Sequence, residues 1–600
     1  MSPPNSFINA PNECVTDSIN GFLLLNPNLS TLPPPYNHII YLPSPSSPLR
    51  VPIISGGGSG HEPSHLSWVS PGMLTSSVCG GTFASPSVNE ILQSIKTSKQ
   101  QTPNLDGVVM VVKNYTGDRV NFTAASEIAR RDLGVITELV FVADDAAVEL
   151  GRGKTGRRGV AGTVFVHKAC GAVAWSGGGV NDVAEAGRIV ANRIVSMGVS
   201  LTGCEVPGGG GGRDDMEGEV MFGMGIHGET GKETCKFDGD MTCGKIMRRV
   251  VKDLCEFGWD PEGRGEEVHM REVKEGDEVV VLVNNLGGTS VFEMGIVVKD
   301  TLEAFAERGV KVRRVYQGSY MTSFDMKGVS VTALVLDEEG DRIMGWLDEP
   351  TEAEEWKKGT DFGKEGKGNV RVGTVEEEKE ESKKDDGKVE VNKWGDASQS
   401  IIEGFVSVLS AKIRSMEDEL TAYDKIVGDG DCGITMVRGV DALTKGVEEG
   451  TVETKKGIGR FVGDAADVIG ATMGGTSGGL LHILMLSMST AITGTDGEIG
   501  WSEVASAFIT GVARMDEAGG AGRNARTMLD AIYPVCDLLA DGCTSWPELA
   551  GAAGEGAEGT REMKALAGRS NYVDEEKVKG TPDPGAWAVK GVMEALRDWE

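Results

Sequence analysis

GVVMVVKNYTGDRVNF, residues 107–122, decides the fold class. Five apolar side chains, four of them valine, stand between Gly107 and Lys113. The run is too short and too β-branched for a helix and reads as a buried strand. Beyond the Thr-Gly pair at 116–117, NFTAASEIARRDLG takes up the spacing of an amphipathic helix. The same alternation recurs: ELVFVADD (138–145), DEVVVLVNN (277–285) and VSVTALVLD (329–337) are strand-like, and IVVKDTLEAFAERGV is helical. Strands alternating with helices over residues 1–345 predict an α/β domain.

Outward from there the composition changes twice. Residues 346–396, with EEWKKGTDFGKEGKGN and EEEKEESKKDDGK, crowd out apolar side chains and predict a charged, solvated linker. Asp361-Phe362-Gly363 within it mimics a protein-kinase metal motif, but no HRD loop accompanies it. From 397 the β-branched runs stop, and ASQSIIEGFVSVLSAKIRSMEDELTAYD opens an all-α domain that continues to residue 600. The charge-free run Val468 to Thr495 is long enough to span a bilayer. Its glycines and His482 favour a loop followed by a buried helix, with no membrane partner.

The 59 Lys and Arg against 90 Asp and Glu leave a net charge of −31. A chain this acidic repels a phosphate backbone, so nucleic acid is excluded as a partner and any anionic ligand must be met by local N–H groups or a cation. The ten cysteines contain no CxxC pair, and the N-terminus lacks basic and apolar targeting regions. Reduced thiols and a cytoplasmic location are expected. Gly239 to Lys245 has P-loop spacing but ends in Ile246, and GRGKTG (151–156) does not open a helix directly after a strand, so neither predicts a nucleotide loop.

Five segments carry candidate chemistry. In VPIISGGGSGHEP a strand runs into Gly56–Gly60 and His61, which reads as a backbone cradle with an imidazole at its end, or as a tight turn with a capping histidine. Asp118, after the strand that ends at Lys113, is placed as a general base for an alcohol, or as a helix cap. His227 in EVMFGMGIHGETG is a nucleophile toward a carbonyl carbon, or a structural histidine. Asp424, Asp429 and Asp431 in DKIVGDGDCGITM suit a hard cation such as Mg²⁺, or form a solvated acidic turn. ATMGGTSGGL, with Thr476 and Ser477, reads as an anion cradle at a helix N-terminus.

Taken in order, GGGSGHEP, FASPSV, KNYTGDR, GRRGVAGTVFVHK, GMGIHGE, LVNNLGGTS and MTSFDMKGVSVT resemble the substrate domain of the dihydroxyacetone kinases. DKIVGDGDCGITM, MGGTSGG, RTMLDA and KGTPDPGAWA resemble their nucleotide domain, and the single-chain layout is similar to the ATP-dependent members. The resemblance implies two α/β subdomains followed by a helical barrel. It implies phosphorylation of dihydroxyacetone, and of glyceraldehyde, by ATP with two Mg²⁺ ions in a homodimer. By the same resemblance His227 holds the ketone as a hemiaminal, His61 and Asp118 activate the hydroxyl, and Gly58, Ser59, Gly60 and Lys113 contact substrate. Asp424, Asp429 and Asp431 become metal ligands. Cys432, Gly433, Ile434, Thr435, Thr476, Ser477, Gly519, Met528, Arg569, Asp583, Pro584 and Gly585 become nucleotide contacts. Two other activities stay open at this stage: cleavage of FAD to AMP and cyclic FMN, as some animal members perform, and ligand-sensing regulation without catalysis.

Overall fold

In a computed structural model, residues 6–43, 49–148, 156–204, 206–207, 216, 218–229, 231–237, 239–257, 271–363, 397–428, 430–455, 457–493, 499–567, 570, 573 and 575–599 are described. The chain divides into two compact units, Met1–Thr374 and Val375–Glu600.

The first unit carries two sheets. One is built from β1 (Ser30–Thr31), β2 (Ile39–Tyr41), β3 (Ile53–Ser59), β4 (Ser76–Thr82), β5 (Val108–Lys113) and β6 (Thr137–Val142), in the order β1-β2-β4-β3-β5-β6. β4, β3, β5 and β6 run parallel, and β2 pairs antiparallel with both β1 and β4. The other is built from β7 (Ile194–Ser200), β8 (Glu219–Phe222), β9 (Glu233–Lys236), β10 (Glu278–Asn285), β11 (Lys311–Gly318), β12 (Gly328–Leu336) and β13 (Thr360–Asp361). Its order is β13-β11-β10-β12-β7-β8-β9, and only β10 and β11 run parallel. The valine-rich runs are its buried centres: every residue of β5 is covered, as are six of the eight in β10. Two packed faces explain why these strands show no polar alternation.

The glycine run after VPII is not a turn. Gly56, Gly57 and Gly58 lie inside β3; neighbouring backbone occupies the side-chain space at Gly56 and Gly58, and the Lys113 and His65 side chains approach it at Gly57. A Cβ on Gly56 would stand 2.3 Å from Val78 O. Similarly, the Thr-Gly segment before Asp118 is the first turn of the helix Thr116–Ile128.

The expected linker begins too early. The helix Gly340–Asp348 belongs to the first unit, Ala353 is buried, and Trp356 packs on Tyr316 with ring centroids 5.0 Å apart. β13 then pairs with β11, and the Asp361 carboxylate accepts from Arg314 at 2.9 Å, which accounts for this residue of the kinase-like triplet. A few aromatic and apolar anchors hold residues 346–363 on the unit despite their charge. Residues 364–396 lie outside the described residues.

All regular elements described in the second unit are helices. The helix Gly475–Thr493 is, among the described residues, the one long and apolar enough to cross a membrane. It packs against the helices Ile458–Thr472 and Trp501–Gly519, and Ser489 Oγ donates to Gly459 O at 2.7 Å. It is less buried than its sequence predicts. Only Gly478, Leu484 and Ile492 are fully covered, because its neighbours leave part of its circumference open.

Candidate active site

At the end of β3 the chain turns through Gly60, whose φ of +106° favours glycine. His61 follows with 0% exposure. Its Nδ1 lies 2.8 Å from Thr322 O, a carbonyl that only accepts, so Nδ1 carries the proton. Nε2 is buried without a partner. Burial, the Lys113 charge and His227 hold its pKa well below the ordinary 6.5, so the ring is neutral.

The His227 ring meets His61 edge to face at 4.7 Å and is walled by Phe83 at 5.0 Å and Tyr115 at 4.8 Å. Its Nδ1 lies 2.9 Å from Glu229 Oε1, and its backbone N–H donates to Oε2 of the same carboxylate at 3.0 Å. Burial would raise the Glu229 carboxyl. The His227 hydrogen bonds, with the charges of His227 and Arg158, outweigh that and bring it down to about 2. An ionised carboxylate accepts only, so the His227 Nδ1 is the donor in this contact.

Lys113 closes β5 with 1% exposure, and burial pulls its ammonium below the usual range against the carboxylates of Asp118, Glu229, Asp144 and Glu62. Asp118 is buried with Oδ1 unpartnered. Desolvation raises its pKa although Lys113, a Ser85 hydrogen bond and His227 oppose the rise. The structure therefore gathers His61, Lys113, Asp118 and His227. Gly58 is packed so that a Cβ would stand 2.5 Å from Phe83 C. The Ser59 hydroxyl is spent on Gly80 O at 2.8 Å, and Gly60 N–H donates to Glu62 at 2.8 Å.

Glu229, Tyr115, Phe83 and Arg158 were missed by sequence reasoning. All four lie in the motifs FASPSV, KNYTGDR, GRRGVAGTVFVHK and GMGIHGE without an assigned role, and Glu229 gives the plainest signal, as the acid two residues past His227. Arg158 serves it from a distance, bonded to Asp145 at 2.6 Å and 3.8 Å from Glu229.

The second unit holds a cavity of about 220 Å³. Asp424 comes from the last turn of the helix Glu417–Val427, and its Oδ2 accepts from the N–H groups of Asp431 (2.8 Å) and Cys432 (3.0 Å), which folds the acidic loop back on itself. Asp431, Cys432, Thr435, Thr476, Ser477, Gly519, Met528, Asp583, Pro584 and Gly585 line the same cavity. Thr476 and Ser477 sit in the first turn of the helix Gly475–Thr493, where free N–H groups suit an anion. Gly433 and Ile434 are not lining residues. Gly433 allows helix contact, since a Cβ there would stand 2.2 Å from Glu417 O. Asp429 and Arg569 lie outside the described residues.

Among the described residues no three acidic, histidine or cysteine side chains converge as a metal cluster. The donor chemistry nonetheless fits a hard cation. Burial, together with Asp530 and Asp424, raises the Asp583 carboxyl to about 6 despite Arg526, so this cavity concentrates negative charge in a dry setting. Arg526, fully buried with Nη2 on Thr581 O at 2.8 Å, is a lining residue that the sequence reading quoted in RTMLDA but did not assign.

An α/β unit with two facing histidines, joined in one chain to a helical unit with an acid-rich cavity, defines a two-domain architecture. Residues 20–355 match the Dak1 domain and residues 426–598 the DAK2 domain. The chain belongs to the dihydroxyacetone kinase family, in its single-chain form. It is 33% identical to the triokinase/FMN cyclase of Homo sapiens and 32% identical to the dihydroxyacetone kinase of Pichia angusta, covering 98% of each chain in both comparisons. The crystal structure of the dihydroxyacetone kinase of C. freundii is similar over 100% of both chains, with 30% identity and a TM-score of 0.61. The complex of that kinase with AMP-PNP and Mg²⁺ gives a TM-score of 0.60.

Proposed function

We propose that the chain phosphorylates dihydroxyacetone, and glyceraldehyde, at the expense of ATP. The observation that carries this reading is the His61–His227 pair, in which the rings face each other and each spends Nδ1 on an oxygen.

The lone pair on Nε2 of an unprotonated His227 adds to the carbonyl carbon, the C=O π electrons move to oxygen, and that oxygen takes a proton from solvent, giving a hemiaminal. The positive charge that develops on the imidazole is matched by the Glu229 carboxylate. Such capture selects carbonyl compounds over glycerol, a discrimination that hydrogen bonds to hydroxyls achieve poorly. Lys113 and the Gly58–Gly60 backbone orient the captured molecule. Asp118 takes the proton from the hydroxyl that attacks the γ-phosphorus, while His61 Nε2 accepts a hydrogen bond from that hydroxyl and orients it, and the bond from phosphorus to the leaving ADP oxygen breaks.

In the helical unit, proposed to close as a barrel, Cys432, Thr435, Thr476, Ser477, Gly519, Met528, Arg569 and Asp583 to Gly585 hold the nucleotide. Asp424, Asp429 and Asp431 would hold two Mg²⁺ ions, which supply charge neutralisation on the phosphates. The same reading includes a cytoplasmic homodimer and a tether beyond residue 363. An ATP-consumption assay against dihydroxyacetone, glyceraldehyde and glycerol tests it. Turnover of the first two and not of glycerol is expected, and equal turnover of glycerol sinks the hemiaminal.

A second reading draws support from the relative named triokinase/FMN cyclase. In it the nucleotide cavity cleaves FAD to AMP and cyclic FMN. Incubation with FAD and Mn²⁺, followed by chromatography for cyclic FMN, decides it.

A further inference from the structure

Behind the glycine strand lies a second pair of histidines that the proposed reaction does not use. His65 and His167 are buried at 3% and 0% exposure, with ring centroids 5.3 Å apart. Both contact one hydroxyl: Ser55 Oγ lies 3.2 Å from His65 Nδ1 and 3.2 Å from His167 Nε2. Ser55 Oγ also lies 2.7 Å from Val111 O and donates to it. A hydroxyl has one hydrogen, and the carbonyl, which can only accept, takes it at the shortest of the three distances. Both imidazoles must therefore donate to Ser55. This fixes His65 as the Nδ1–H tautomer and His167 as the Nε2–H tautomer.

The consequence falls on His65 Nε2, which is a lone pair, is buried and has no partner. It stands 3.4 Å from the point a Gly57 Cβ would occupy, and Lys113 Nζ stands 3.2 Å from the same point. The bare glycine lets the imidazole and the ammonium share one patch of backbone. Burial, then the Lys113 charge, hold the His65 pKa well below 6.5, which keeps the ring neutral beside a cation.

We propose that His65 is a positioning residue for Lys113: Ser55 locks its tautomer so that the Nε2 lone pair is left at the same patch of Gly57 as the lysine ammonium and steadies it through space, without a direct hydrogen bond. The proposal rests on reading Lys113 as a substrate contact. The charged and titratable groups around Lys113 are Asp118 on the helix after β5, Glu229 after β8, Asp144 after β6, and Glu62, His61 and His65 after β3, with Tyr115 beside it and His167 on the helix Thr163–Trp175. The lone pair favours the charged amine, so its removal lowers the Lys113 pKa further.

Two measurements on the full-length chain test this. In His65→Leu, KM for dihydroxyacetone should rise about tenfold with kcat changed less than threefold, and the alkaline limb of kcat/KM should move to lower pH. His65→Gln, whose amide can donate to Ser55 and turn its carbonyl oxygen toward Lys113, should restore both. Unchanged KM and alkaline limb in His65→Leu overturn the proposal. Should that variant fail to fold, ¹⁵N spectra of the wild-type chain with its seven histidines labelled decide: a proton on His65 Nδ1 supports it, and one on Nε2 overturns it. A chain inactive toward trioses would sink the functional reading and leave the tautomer to decide this one.

Discussion

The rings of His61 and His227 meet edge to face with centroids 4.7 Å apart, one at the end of a parallel strand and the other in the loop after β8. Thr322 O and the Glu229 carboxylate hold their Nδ1 protons. Two imidazoles whose Nδ1 atoms are already engaged can divide the work through Nε2, one bonding a carbonyl carbon and the other accepting a hydrogen bond from a hydroxyl.

His227→Ala should abolish the ketone adduct seen by mass spectrometry of the intact chain. Phosphorylation persists at raised KM, because the ring captures substrate and does not carry the phosphoryl group, and discrimination against glycerol weakens. A ketone adduct on the alanine variant would disprove the assignment.

Asp118→Asn keeps the shape of a buried side chain and removes its basicity. We expect kcat to fall about 10²–10⁴-fold, with adduct formation intact. An unchanged kcat would reduce Asp118 to a residue of the first helical turn.

Glu229→Gln tests the charge behind His227, and adduct yield should fall about tenfold as the charge-assisted bond is lost. The acid response has a defined sign. The folded carboxyl, at about 2, lies below its ordinary value of 4.5, so the stabilisation is complete above pH about 4.5 and is lost as pH falls toward 2. Urea midpoints at pH 6 and pH 3 should therefore drop more in the wild type than in Glu229→Gln. Equal drops would show that the ion pair does not act on stability.

Asp431→Asn should reduce phosphoryl transfer at least ~10³-fold, the scale of losing a preorganised charge at the reacting phosphate. Adduct formation should survive, because His227 belongs to the other unit. Retention of a tenth of the wild-type rate would remove Asp431 from the cation site.

Local composition was enough for the valine-rich strands β5, β6, β10 and β12 and for the helical character of the second unit, since a strand covered on both faces must be apolar throughout. The motifs around His61, His227 and Asp424 were legible because glycines, imidazoles and clustered carboxylates are costly to place without a use. Other features depend on distant partners. The strand conformation of Gly56–Gly58 is set by β4, and the hold of Trp356 on Tyr316 overrides the charge around it. The tautomers of His61, His65 and His167, and the Nδ1 proton of His227, follow from which oxygen each ring meets. Residue type and spacing specify what a side chain can do. Which of its atoms is free to do it is decided only when the tertiary structure brings in the competing donors and acceptors.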